Sequence, residues 1–176
     1  MTDMLKRLAC ALALLLIMTG CGEAPETETS ASSDSTSAAP DSAEATALTV
    51  YKSPTCGCCE DWITHMEGEG FEAAIEHPSR MATIKAQLGI APEYASCHTG
   101  VSEEGYIFEG HVPAKLVRQF LNSPPENALG LAVPRMPVGS PGMEMGERFD
   151  PYDVLLLKTD GSSEIYARIE TPEQQY

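Results

Sequence analysis

From Gly22 to Ala47 the chain reads GEAPETETSASSDSTSAAPDSAEATA, with six acidic residues, no Lys or Arg, and no Leu, Ile, Val, Met or aromatic side chain. Such a segment cannot bury enough apolar surface to offset its chain entropy, so it reads as a disordered acidic tether. Everything able to build a core lies in Leu48–Tyr176, 129 residues, which is the size of one domain. The net charge of −15 divides at the same border, because 19 acidic and 9 basic residues leave about −10 on the domain. That balance argues against nucleic acid as a partner, since neutralising phosphates requires a Lys/Arg surface.

Ahead of the tether, Lys6 and Arg7 precede an apolar run from Leu8 to Met18. This is the layout of a secretory signal, and the run is too short for the ~20 residues of a membrane-spanning helix. Residues 1–20 are therefore expected to direct export and to be removed, taking Cys10 with them. The run ends Met18-Thr19-Gly20-Cys21, which resembles the bacterial lipobox cut before a cysteine that is then lipidated. Two acyl chains on Cys21 would anchor the protein to a membrane without a transmembrane helix. Gly22, rather than Asp, after that cysteine resembles lipoproteins of the Gram-negative outer membrane. The expected location is the periplasmic side of that membrane, lipid-anchored.

Within the domain, the short run Leu48–Lys52 predicts a buried strand ended by Ser53-Pro54. Cys59, Ile63 and Met66 then share one helical stripe with Trp62 beside them, and Gly68–Gly70 stops the helix. Phe71–Glu76 suits a second strand. Arg80–Leu88 suits a second helix, with Ser79 as its N-cap and Gly89 behind it. Tyr106–Phe108 is a third apolar run, and Pro113 is placed to open a helix over Ala114–Leu121. Asp153–Lys158 and Glu164–Ile169 flank Thr159-Asp160-Gly161-Ser162, a hairpin signal resting on Asp-Gly. Strand, helix, strand, helix and a C-terminal β-hairpin describe an α/β, thioredoxin-like single domain.

The chemistry is concentrated in Cys56-Gly57-Cys58-Cys59, three thiols within four positions between a predicted strand and a predicted helix. Unpaired N–H groups and the helix dipole at that place favour thiolates, which both metal binding and disulfide exchange require. Cys56 and Cys59 alone form Cys-x-x-Cys, the spacing of a thiol–disulfide oxidoreductase with Cys56 as the attacking thiol. Cys58 is superfluous to that reaction. It makes better sense if the turn binds a soft ion, because thiolates select Cu(I), zinc or iron–sulfur clusters. The other thiol of the domain is Cys97.

The motif SPTCGCC after Val50-Tyr51-Lys52 is followed by Ser96-Cys97-His98-Thr99, Glu109-Gly110-His111-Val112-Pro113, GLAVPRMP from Gly130 and GSPGME from Gly139. In this order, over about Thr49–Ile169, the motifs resemble the CopG-like copper-resistance family of exported, thioredoxin-like proteins. The resemblance implies periplasmic copper binding, with Cys56, Cys58, Cys59 and Cys97 holding a thiolate-bridged, redox-capable copper cluster. It makes His111 and Met136 neighbouring ligands.

Other soft side chains are weighed on position. His65 lies seven residues beyond Cys58, ~10.5 Å along the helix axis, too far to share an ion with it, and reads as a surface histidine. His77 ends the second strand on the side where open α/β sheets place their sites. His98 adjoins Cys97 and is an additional metal candidate. Met66 and Met81 fall at core spacing. Met136, Met143 and Met145 lie in the Pro- and Gly-rich MPVGSPGMEMG, which cannot be helix or central strand. Met143 there is a further candidate, since thioethers bind Cu(I) without needing a reducing compartment. The expected function is copper sequestration or copper redox handling, with thiol–disulfide oxidoreduction by Cys56 and Cys59 as the alternative. Zinc in a Cys₄-type site is the alternative metal.

Overall fold

Period-two alternation in the apolar runs builds a sheet with two covered faces, seen in a computed structural model that describes residues 46–176. The signal segment, Cys21 and nearly all of the tether lie outside the described residues. The elements run β1 (Thr46–Lys52), α1 (Gly57–Gly68), β2 (Phe71–Glu76), α2 (Met81–Gln87), β3 (His98–Ser102), β4 (Ile107–Glu109), α3 (Ala114–Asn122), β5 (Ala128–Ala132), β6 (Tyr152–Lys158) and β7 (Ser163–Ile169). Short 3₁₀ turns occupy Pro92–Tyr94 and Pro172–Gln175. One seven-stranded mixed sheet has the order β2-β1-β3-β4-β5-β6-β7. β1 is parallel to β2 and β4 to β5, and the other neighbours are antiparallel.

Leu48 and Val50 of β1, Phe108 of β4, and Leu131 and Val133 in and just after β5 turn to one face. There they meet Trp62, Ile63 and Met66 of α1 and Val117 and Phe120 of α3. Alternate residues face the other way: Ile107, Ala132 and Leu157 pack with Ile90, under Leu88 and Tyr94 from the end of α2 and the turn after it. β3 follows the same rule, so His98 stacks on Trp62 while Thr99 reaches Lys85 of α2. Among the described residues no helix is long and apolar enough to cross a membrane.

Several elements differ from the sequence expectation. β1 begins at Thr46, inside the segment assigned to the tether, because pairing with Phe71 of β2 extends it by two residues. Ser79 does not cap α2; Arg80 occupies that position and no side chain caps it. β3 and β5 were not anticipated as strands. His-Thr-Gly-Val-Ser and Ala-Leu-Gly-Leu-Ala carry glycine, and the latter is poor in β-branched residues, so only their neighbours make them strands. The third apolar run pairs one residue later, over Ile107–Glu109, which buries the Glu109 carboxylate in mid-sheet.

Candidate metal centre

β1 and β3 are adjacent, with Lys52 opposite His98, so the loop leaving β1 and the segment entering β3 meet at one end of the sheet. The first carries Cys56, Cys58 and Cys59, and the second carries Cys97. Cys56 is the N-cap residue of α1, in an extended conformation, after a turn closed by its N–H donating to Ser53 O at 3.1 Å. Cys59 lies one helical turn on, buried against the core. The i, i+3 spacing brings Cys56 and Cys59 together in a disulfide, with Cα atoms 5.3 Å apart. Cys58 and Cys97 remain thiols. Cys58 Sγ is 3.6 Å from Cys56 Sγ, and all four sulfurs lie within 4.8 Å of one another.

Cys97 belongs to a second group, with His98 and His111, whose ligating atoms also lie within 4.8 Å of one another. Its Sγ is 3.1 Å from His111 Nε2 and 3.2 Å from His98 Nδ1. His111 Nδ1–H donates to Pro141 O at 2.8 Å, which fixes the tautomer and leaves the Nε2 lone pair facing the thiol. Burial holds the His111 imidazole below its usual range. Burial and the nearby Cys58 push the Cys97 thiol up to about 12, so it is protonated and donates to His111 Nε2. His98 is wholly buried between Trp62, 4.3 Å away by ring centroids, and His111, 5.0 Å away. Burial, reinforced by His111 and Lys85, keeps it neutral, and its Nε2 has no hydrogen-bond partner among the described residues.

The remaining candidates are placed as follows. Met136 is 48% exposed and lines an open groove of about 780 Å³ with Pro134, Pro137, Tyr152 and Arg168. Met143 is half-buried after the turn Ser140–Gly142, and Met145 is exposed. That turn lies on the cysteine-bearing end of α1: a Cβ on Gly142, at φ +82°, would fall 2.7 Å from Cys58 O and 2.6 Å from Trp62 N. Exposed His77 donates from Nδ1 to Lys52 O and is in neither metal-capable group. His65 is not a surface histidine: it is half-buried, and its Nε2 accepts the Ala114 N–H at 3.0 Å, capping α3 from α1.

Two buried lysines were not anticipated. Lys52, wholly buried at the end of β1, donates to Ser53 O and to Glu60 Oε1 at 2.6 Å, tying the cysteine loop to the first turn of α1. Lys85 is paired with Glu109 beneath the Cys97 segment. The available signal was Ile-Phe-Glu, a carboxylate continuing an apolar run, which implies a buried partner.

With the Cys56–Cys59 bond reduced, the donor set suits a soft ion, with four sulfurs and two neutral imidazoles at one end of the sheet. Two solved structures are similar to this chain in fold and sequence. One, described as copper resistance protein CopG, form 2, is 41% identical, with a TM-score of 0.68, and the match covers 72% of this chain and all of that one. Its form 1 counterpart is 42% identical, with a TM-score of 0.66, covering 71% and 98% of the two chains. The chain belongs to the CopG copper-resistance family. A family model described as a protein of unknown function, DUF411, matches residues 94–143, the stretch holding Cys97, His98, His111 and Met136. No curated protein matches. Membership in the CopG family together with the cysteine cluster points to copper resistance and metal binding.

Proposed function

We propose that this protein is exported and lipid-anchored through Cys21, and that it sequesters copper or handles its redox state with the thiolates of Cys56, Cys58, Cys59 and Cys97. His111 and Met136 are the next ligands in this reading, and His98 and Met143 the reserve. The observation that carries it is the convergence of four Sγ atoms within 4.8 Å. Thiolates at that spacing favour Cu(I), and bound copper supplies a one-electron couple. The chain itself must prepare the site. Thiol–disulfide exchange with an external dithiol, which leaves as its own disulfide, converts Cys56–Cys59 to two thiols, and Cys97 releases its proton to solvent before its sulfur can bind a cation. His111 Nε2, 3.1 Å from that sulfur, carries the free lone pair that a cation on Cys97 would meet next. The β2-β1-β3-β4 order, with the cysteine pair at the start of α1, supports the thioredoxin-like reading. The antiparallel β6–β7 pair around Thr159–Ser162 supports the hairpin.

The test is anaerobic titration of the reduced full chain with Cu(I) against a competing chelator. The expected result is tight, stoichiometric binding with all four thiols protected from alkylation. Cys58→Ser with Cys97→Ser should weaken binding by more than the roughly 10–100-fold that losing an outer-shell partner brings. Unchanged affinity in that double variant sinks the four-thiolate site, and preferential retention of zinc would favour a Cys₄ zinc centre. The Cys56–Cys59 disulfide favours a second reading, thiol–disulfide oxidoreduction. Under it, metal-free protein supplied with a dithiol reductant turns over a model protein disulfide, and Cys58→Ser does not slow it. Lipid anchoring is tested by Cys21→Ser, which should move the protein from the membrane fraction to the soluble one.

A further inference from the structure

We propose that the buried Lys85–Glu109 ion pair is a clamp that positions Cys97 by holding the backbone on both sides of it. This rests on the reading of Cys97 as a metal-binding thiol. Glu109, wholly buried in β4, accepts the Ser96 N–H at 2.5 Å on Oε1, the oxygen that also takes Lys85 Nζ. Its Oε2 accepts the Thr99 hydroxyl at 2.6 Å. Lys85 Nζ donates in turn to Thr99 Oγ1 at 2.9 Å and to His98 O at 3.4 Å. The residue before Cys97 and the two after it are therefore all tied to the pair. Cys97 itself is left to face His98 Nδ1 and His111 Nε2.

Stability alone gives a poor account of this arrangement. Desolvating two charges largely cancels their attraction, and apolar residues of similar volume commonly serve a core as well. What the pair supplies, and apolar side chains could not, is charge-assisted hydrogen bonding to Ser96, His98 and Thr99, on both sides of Cys97 where the chain enters β3. Ser96 and Cys97 lie just ahead of β3, so the strand ladder itself does not hold them. Ser96 is held on its other side too, since its hydroxyl donates to Arg135 O and lies where a Cβ on Gly110 would be.

Replacing one partner would strand a buried charge, so the informative variant is Lys85→Met with Glu109→Gln, which removes both charges at similar volume. In metal-free full chain with the Cys56–Cys59 disulfide intact, alkylation is followed cysteine by cysteine by peptide mass spectrometry, with Cys58 as the internal reference. Cys97 should alkylate about tenfold faster relative to Cys58, as expected when ordering hydrogen bonds are lost. Cu(I) affinity of the reduced variant should fall by a similar factor. A folded double variant with an unchanged Cys97 to Cys58 ratio overturns the clamp. If that variant does not fold, Thr99→Val, which keeps the charges and removes the bridging hydroxyl, should still raise the ratio about threefold; no change overturns the proposal equally. Failure of the copper reading has a separate signature: Cys97→Ser leaves Cu(I) affinity untouched, while the alkylation ratio in Lys85→Met with Glu109→Gln, which keeps Cys97, still reports on the clamp.

Discussion

At the scale of single residues, histidine environments decide the response to acid. His65 is neutral when it accepts the Ala114 N–H, and burial lowers its pKa against the opposing pull of Glu69 and Glu144. With the folded value below the unfolded one, the unfolded state binds more protons, so stability is complete above about pH 6.5 and falls as pH drops through that value. The loss ends once the folded-state value is passed. Buried His98 and His111 act in the same direction. Urea unfolding of the metal-free protein from pH 7.5 to 5 should show the decline, and His65→Gln, which keeps an acceptor but cannot titrate, should make it shallower. A slope unchanged in that variant removes His65 from the account. Gln175 is a second decisive residue, wholly buried with its amide donating to Gly139 O and accepting the Tyr152 hydroxyl. Gln175→Ala should cost about 1–3 kcal/mol in chemical denaturation, because it orphans a buried hydroxyl and a carbonyl.

At the scale of elements, the site depends on three segments meeting: the start of α1, the entry to β3, and the turn Ser140–Gly142. Gly142 permits the third contact through a left-handed backbone and the absence of a Cβ where Trp62 N and Cys58 O lie. Gly142→Ala should destabilise the fold by roughly 1–3 kcal/mol and weaken Cu(I) binding, since the turn also carries Pro141, the acceptor that orients His111. Thermal unfolding and chelator competition on one preparation would check both effects. The state of the α1 turn matters as well. With Cys56 and Cys59 joined, two of the four sulfurs are unavailable, so oxidised protein should bind less Cu(I) than reduced protein, and reductant should restore the difference. The helical stripe of Cys59, Trp62, Ile63 and Met66 was legible because its period appears in the sequence and all four residues are buried. β3 and β5 were not legible, because their strand character comes from neighbours rather than from their own residues.

At the scale of the whole molecule, the division into tether and domain expected from the sequence predicts independence. A chain beginning at Thr46 should keep the unfolding midpoint and copper stoichiometry of the full chain; a lower midpoint would mean that the acidic segment contacts the domain. The position of the CxCC thiols after a strand, the expectation of an export signal and acidic tether ahead of the domain, and the family resemblance all rest on local order along the chain. Such features need only composition, spacing and period, which are properties of neighbouring residues. Tertiary structure decided what depends on residues far apart: Cys97 beside the helix-borne thiols, His111 oriented by Pro141, His65 capping α3, and two buried lysines with carboxylate partners. The reason is physical. A lone charged or imidazole side chain looks alike in sequence whether it faces water or a partner, and only the adjacency of β1, β3 and β4 in the sheet determines which partner desolvates and orients it.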